Sequence, residues 1–218
     1  MYFESREQAG QLLAARLLER YRYDNCAVVA LSDAGVIVGE QVATALHCVL
    51  TMLLVEDIPV PGESINFGGV SQTGNFTYSS ELSDGEIDEY TSEFHGFLEE
   101  QKREAFQHIN RLIGDGGLID YEMLRYRTVI LVNDGFNDTT LLDVAQEFLK
   151  RVQLKRLVIA TPIASEAAVD RLHIMADELQ ILDVKANYLD TNHYYSQNNL
   201  PTHQETIDKI NKIILNWR

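Results

Sequence analysis

The chain has 218 residues, 45% of them hydrophobic, and its 33 acidic against 18 basic side chains leave a formal net charge of −15. That length holds one well-buried α/β core and is short for two complete domains. The acidity argues against sequence-independent nucleic-acid binding, which relies on Lys and Arg neutralising phosphates, and equally against docking to anionic membranes.

In chain order, Arg6 to Arg20 place Ala9, Leu12, Leu13 and Leu17 on one face, which predicts an amphipathic opening helix. The apolar run 26–31 predicts a strand that leads through Asp33-Ala34-Gly35 into a helix burying Gly39, Val42, Ala43 and Leu46. Val49 to Val55 reads as the next strand. Residues 65–79 carry Gly68, Gly69 and Gly74 between Phe, Val, Thr and Tyr, the pattern of a hairpin. Ser83 with Glu86 three residues later is a capping-box start for a long helix reaching about Ile113, closed by Gly114-Asp115-Gly116-Gly117.

From Glu81 to Glu104 there are nine acids against Lys102 and Arg103, interleaved with Ile87, Tyr90, Phe94, Phe97 and Leu98. This reads as a solvated face opposite a core face, or as a helical arm that pairs two copies into a homodimer.

Thr128 to Val132 is a β-branched apolar run that ends abruptly in the polar turn 133–140. Leu141, Leu142, Ala145, Phe148 and Leu149 then recur at helical spacing. A strand at 156–160, a helix near 166–176 and a strand at 179–184 follow. Thr202 with Glu205 caps a last helix with Ile207, Ile210, Ile214 and Leu215 inward. Such alternation implies an α/β fold with a mostly parallel sheet flanked by helices. No linker or repeat divides it, so the expectation is a single domain over 1–218 with an insertion at about 60–125. The 32–35 and 133–140 turns both fall at carboxyl ends of strands, where open α/β sheets hold ligands, and are expected to converge on one cleft.

Cys26 and Cys48 lie in apolar surroundings without a Cys-x-x-Cys or Cys/His cluster, so buried reduced thiols are expected. The charged N-terminus has no apolar signal region, and no apolar stretch approaches the roughly 20 residues that span a bilayer. A cytoplasmic protein is the expectation. The six histidines are scattered. His193-Tyr194-Tyr195 reads as a hood over the cleft or as an ordinary surface loop.

Asn133-Asp134-Gly135-Phe136-Asn137-Asp138-Thr139-Thr140, after its buried strand, resembles the phosphoribosyl diphosphate (PRPP) loop of type I phosphoribosyltransferases. That loop carries two acids, a Gly and a Thr-Gly-x-Thr turn. Phe3-Glu4-Ser5-Arg6-Glu7-Gln8-Ala9-Gly10 is similar to the family's Phe-x-x-Arg-x-x-Ala-Gly start. Ser32-Asp33-Ala34-Gly35 sits where the family has its diphosphate-contacting turn, and Thr161-Pro162-Ile163-Ala164 resembles its Val-Pro-Val-Ala. The likeness extends from Phe3 to about Ile210 in one collinear order. It implies the type I phosphoribosyltransferase fold with a hairpin and long-helix insertion. For an active member it further implies Mg²⁺, weakly assigned to Asp134, and transfer of ribose 5-phosphate from PRPP to a nucleobase-like acceptor.

The resemblance places a nucleotide or PRPP-like small molecule against Asn133, Asp134, Gly135, Asn137, Asp138, Thr139, Thr140, Asp33, Ala34 and Gly35. This sequence departs from the family at the charge-sensitive points. Asn133 replaces an acid, Asp138 a phosphate-binding Thr and Asp33 an Arg, while Glu56-Asp57 stand where Lys or Arg is frequent. A carboxylate within about 4 Å of a phosphate costs on the order of 4 kcal/mol at intermediate dielectric. Asp138 and Asp33 also fit helix N-caps, since Asp complements the helix dipole. The expectation is a degenerate, non-catalytic or weakly active binding or assembly module; the alternative is an active transferase with a rearranged loop.

Overall fold

The computed structural model describes residues 2–113 and 121–216. The expected turn at 114–117 and the side chains of Ile214 and Leu215 lie outside them. The chain forms two compact units, one from residues up to 52 with 121–138 and 152–216, the other from 53–113 with 139–151.

The larger unit is built on five parallel strands, β1 (Cys26–Ala30), β2 (Val49–Met52), β6 (Thr128–Val132), β7 (Arg156–Ser165) and β8 (Glu178–Lys185), in the order β2-β1-β6-β7-β8. This is the mostly parallel, helix-flanked architecture that the alternating sequence pattern predicts. Every residue of β1 and β6 is buried, which suits strands covered on both faces and explains why, after Cys26 and Thr128 at their first positions, they consist of Val, Ile, Leu and Ala. Helix α1 (Arg6–Tyr21) packs on α2 (Asp33–Leu46) and against β7 and β8, while α2 lies against β1 and β2. Helix α6 (Glu166–Met175) joins β7 to β8, and α7 (His203–Asn216) packs on α2 and β2. The Thr202–Glu205 capping box forms as expected, with Thr202 N donating to Glu205 Oε2 at 2.8 Å.

The smaller unit holds an antiparallel sheet, β3 (Val55–Pro59), β4 (Asn66–Ser71) and β5 (Phe76–Tyr78). The expected hairpin thus supplies two strands of a three-stranded sheet, and the apolar run 49–55 divides between β2 and β3. Helix α5 (Thr140–Leu149), the segment following the 133–140 turn, packs on β3, β4 and β5.

The long helix begins with the capping box predicted at Ser83 and Glu86 but runs as α3 (Asp84–Glu93) and α4 (His95–Ile113). Phe94 interrupts it at φ −109°, ψ 23°. The bend lets Tyr90 and Phe94 both present edges to Phe67, with ring centroids 6.3 and 6.4 Å apart. Tyr90, Phe94 and Leu98 therefore belong to the core around Ile58, Phe67, Val70 and Ile109. Three of the five residues of the apolar surplus noted in the sequence are absorbed there, and Phe97 stays exposed. Among the described residues no helix is long and apolar enough to cross a membrane.

Candidate functional site

In the order β2-β1-β6-β7-β8, the strand sequence reverses between β1 and β6. The crevice outside the carboxyl ends of such a pair is where open parallel sheets take ligands, because the connections leave it in opposite directions. The 32–35 turn follows β1 and the 133–138 turn follows β6, so the larger unit brings these two predicted segments together.

They touch through specific atoms. Ser32 is the N-cap of α2 and accepts from Gly35 N at 2.9 Å, while its hydroxyl donates to Asn133 Oδ1 at 2.6 Å. Asn133 Nδ2 in turn donates to Gly135 O at 2.9 Å. A Cβ on Gly35 would stand 2.8 Å from Asn133 Oδ1, so only glycine allows this approach. The cap expected of Asp33 is made by Ser32 instead, because a Ser hydroxyl at that position reaches both Gly35 N and Asn133. Asp33 starts the helix and its Oδ1 lies 3.0 Å from His203 Nδ1. Ala34 follows it in the first turn of α2, half-buried.

Asp134 does not face an open cleft. Its side chain is buried and its Oδ2 accepts from Arg6 Nε at 2.8 Å. The same guanidinium donates to Asn192 Oδ1 at 2.7 Å and Asn198 Oδ1 at 3.1 Å, and it lies 4.4 Å from the centroid of the Tyr195 ring. Tyr195 completes the enclosure by donating to Asp134 O at 2.6 Å.

Burial raises the Asp134 carboxyl above the ordinary carboxylate range, and the charge and hydrogen bond of Arg6 offset part of that. Burial, then Asp134, hold the Tyr195 hydroxyl well above its usual value, and burial pushes Tyr188 up to about 12. Both phenols therefore stay protonated at neutral pH.

Gly135 is roofed by Tyr188 and Thr191, whose hydroxyls lie 2.8 Å apart, and a Cβ there would collide with the Tyr188 hydroxyl. Phe136 is buried and bridges to Ala164 through Phe136 N to Ile163 O (3.1 Å) and Ser165 N to Phe136 O (2.9 Å). Asn137 is exposed and its carbonyl accepts from Ser165 Oγ at 2.8 Å; Asp138 is half-buried. The cap expected of Asp138 falls one residue later, on Thr139, whose side chain makes no capping bond.

Thr139 and Thr140 belong to the smaller unit. Thr139 Oγ1 donates to Asp143 Oδ2 at 3.1 Å and lies 3.2 Å from Ser80 Oγ, and Ser80 N donates to the same Asp143 oxygen at 2.9 Å. Asn66 Nδ2 donates to Thr140 Oγ1 at 3.4 Å. A carboxylate of the chain itself thus occupies hydroxyl and amide donors beside the start of α5.

Sequence reasoning singled out the turns but missed their partners. Arg6 stood inside a quoted motif without a role, and Ser32 carried an N-cap signature with Gly35 that was legible. Asn192, Asn198, Tyr188, Thr191 and Asp143 give no local signal. Of His193-Tyr194-Tyr195, the two tyrosines are buried and Tyr195 reaches the Asp134 backbone, so the segment is more than a surface loop. The residues present do not fit a divalent cation at Asp134, because an ion on that buried carboxylate would lie against the Arg6 guanidinium. Among the described residues, no group of three or more His, Cys, Asp or Glu is placed to hold a metal.

Fold and turns together define a doubly wound α/β protein whose two turns meet at its strand-order switch. No known protein-family profile matches the chain. It is similar to TT1426 from Thermus thermophilus at 25% identity and a TM-score of 0.73, over 100% of this chain and 99% of that one. It also resembles the AQ2163 protein from Aquifex aeolicus, at 13% identity and a TM-score of 0.51 over 85% and 77% of the two chains. A purine phosphoribosyltransferase from Pyrococcus horikoshii matches at 13% identity and a TM-score of 0.46, over 89% and 90%.

Proposed function

We propose that this protein is phosphoribosyltransferase-like in fold but non-catalytic or weakly active, with its PRPP-side residues converted into internal supports of a binding or assembly module. The observation that carries the reading is the buried Arg6–Asp134 pair. The acid that resemblance assigns to ribose hydroxyls and Mg²⁺ is committed to a guanidinium at 2.8 Å. Releasing it would strand one or both charges away from water, at about 3–5 kcal/mol. Three further features support it. Asn133 ties the two turns together, Tyr188 and Thr191 cover Gly135, and Asp143 takes the Thr139 hydroxyl that only a rearranged phosphate cradle would use.

Transfer of a ribosyl group is mainly positioning and charge stabilisation, so a turn whose donors and acids are engaged elsewhere has little left to supply. Calorimetric titration with PRPP and Mg²⁺, then with nucleoside monophosphates, tests this. PRPP is expected to give no binding in the micromolar range, because Asp33 and Asp138 oppose its phosphate groups. Micromolar binding would overturn the reading in favour of an active transferase carrying ribose 5-phosphate to a nucleobase-like acceptor. The variant Asp33→Arg, Asp138→Thr, Thr139→Gly is expected to gain phosphate affinity; no gain would mean that the positional resemblance is wrong.

A further inference from the structure

At the amino ends of the parallel strands, opposite the candidate crevice, the larger unit carries two Arg-Tyr segments. Arg20-Tyr21-Arg22-Tyr23 closes α1 and leads to β1, and Arg125-Tyr126-Arg127 leads to β6. The two strands are neighbours, with Cys26 paired to Thr128, and Thr128 N donates to Asn25 O at 3.0 Å. The segments therefore stand side by side.

Their aromatic rings are held outward. Tyr23 is 92% exposed and Tyr126 63%. Tyr126 adopts a left-handed backbone (φ 58°) and is fixed by bonds from its N to Gln153 O (2.7 Å) and from its hydroxyl to Gln153 Oε1 (2.8 Å). A left-handed tyrosine is uncommon, and here it aims a large ring at solvent. Arg22 lies 5.6 Å from the Tyr23 ring centroid and Arg125 5.1 Å from that of Tyr126.

Lys155 joins the same edge, its N bonded to Arg127 O at 2.9 Å, and Arg156 follows. With Arg20, Arg22, Arg125 and Arg127 these make six basic side chains along one edge of a molecule of net charge −15; Arg20, Arg125 and Lys155 pair there with Glu178, Glu122 and Asp24 at 3.0, 3.3 and 3.2 Å, and Arg22, Arg127 and Arg156 stand beyond those three pairs. A helix C-terminal dipole accounts for Arg20 and Arg22. Arg125 pairs with Glu122, but neither the dipole nor that pair accounts for Arg127, which follows no α-helix, or for the exposed rings. Tyr and Arg, with Trp, are the side chains enriched where protein interfaces concentrate their binding energy.

The complementary surface is present on the same chain. The nine acids between Glu81 and Glu104 are all exposed on or beside α3 and α4, against Lys102 and Arg103. Partial burial and the carboxylates of Glu63, Glu86, Glu89 and Glu93 raise the Tyr90 hydroxyl, a sign of how closely like charges crowd there.

We propose that the Arg-Tyr edge of one copy docks on the acidic α3–α4 surface of a second copy. This rests on the assembly half of the reading above and gives it an interface, opposite charge meeting opposite charge around two tyrosine anchors. Two acidic molecules repel at long range, but at moderate salt the screening length is about 10 Å, which removes that repulsion and leaves the close contact.

Sedimentation velocity at moderate and high salt tests it. The expected result is self-association at moderate salt that is lost at about 1 M, where screening reaches about 3 Å. An edge variant, Arg22→Glu with Arg125→Glu, and an arm variant, Asp88→Lys with Glu89→Lys, are each expected to lose it. Mixing the two is expected to restore it, because each then offers the other's missing charge. Tyr23→Ala with Tyr126→Asn, which leaves charge unchanged and keeps a residue tolerant of the left-handed backbone, should weaken it; circular dichroism checks that every variant is folded.

A wild type that stays monomeric at moderate salt overturns the proposal, as does a mass unchanged by both charge variants or a mixture no larger than its parts. A monomer whose edge binds a single-stranded oligonucleotide, with that binding lost in the edge variant, would also overturn it. PRPP binding is read separately, so failure of the interface and failure of the non-catalytic reading give different results.

Discussion

The two sheets solve the same burial problem by different means. In the larger unit, β1 and β6 are short, fully buried and apolar except for Thr128, and their ladder of parallel pairs supplies the frame. Polar side chains are gathered at the strand ends, where Ser32, Asn133, Asp134 and Arg6 bond one another. In the smaller unit the middle strand, β4, carries Gly68 and Gly69. A side chain on Gly68 (φ 154°) would collide with the Thr77 carbonyl. Having given up side-chain volume at these positions, that sheet depends on aromatic residues, with Phe67 packed edge-on by Tyr90 and Phe94. One region is specified by backbone pairing and a polar lock, the other by a few large rings.

Substitutions can break this contrast, starting with the rings. Phe67→Ala removes the wholly buried hub of the smaller core and is expected to cost about 3–5 kcal/mol, read by denaturant unfolding. An effect under about 1 kcal/mol, the range of a tolerated core swap, would show that the rings are not what holds that sheet.

The polar lock comes next. Arg6→Ala strands Asp134 and is expected to cost about 3–5 kcal/mol, while Arg6→Met with Asp134→Leu should recover most of it, since an apolar pair of similar volume needs no charge compensation. If the double variant is as unstable as the single one, the hydrogen bonds to Asn192 and Asn198 matter more than the ion pair.

The smallest effect concerns the thiols of the larger sheet. Burial pushes Cys26 up to about 11 and Cys48 up to about 12, from an ordinary value of 9.0. Above pH 9 the unfolded chain ionises its thiols before the native one does. Their contribution to stability is therefore complete below pH 9 and is lost as pH rises through the folded values. Cys26→Ala should flatten the alkaline limb of a stability–pH curve; an unchanged slope would assign it to other groups.

The contrast also explains what could be read in the sequence. β1 and β6 were legible because a fully buried parallel strand is an unbroken apolar run, and α3 because Ser83 and Glu86 form a capping box. The break at Phe94 was not, since nothing local distinguishes a phenylalanine that continues a helix from one that turns toward Phe67. The separation of β2 from β3 was hidden for a similar reason, as one apolar run serves two sheets. At the site, the turns and their glycines carried a signal, whereas the caps moved by one residue, from Asp33 to Ser32 and from Asp138 to Thr139. Arg6, Asn192 and Asn198 meet Asp134 only through the folded topology.

The Arg6 lock bears on the order in which the molecule can be made. Arg6 leaves the ribosome well before its partners, which lie 128, 186 and 192 positions further along. Contacts so far apart in sequence carry a large loop-closure cost and form late. During synthesis the early helix α1 must therefore wait with its guanidinium in water, and the turn after β6 emerges before Asn192 and Asn198 exist to steady its partner. A nascent chain halted before residue 192 would hold the strands of the larger sheet without the lock, and limited proteolysis of such stalled chains should find the 133–138 turn open to cleavage until Asn192 and Asn198 have been added.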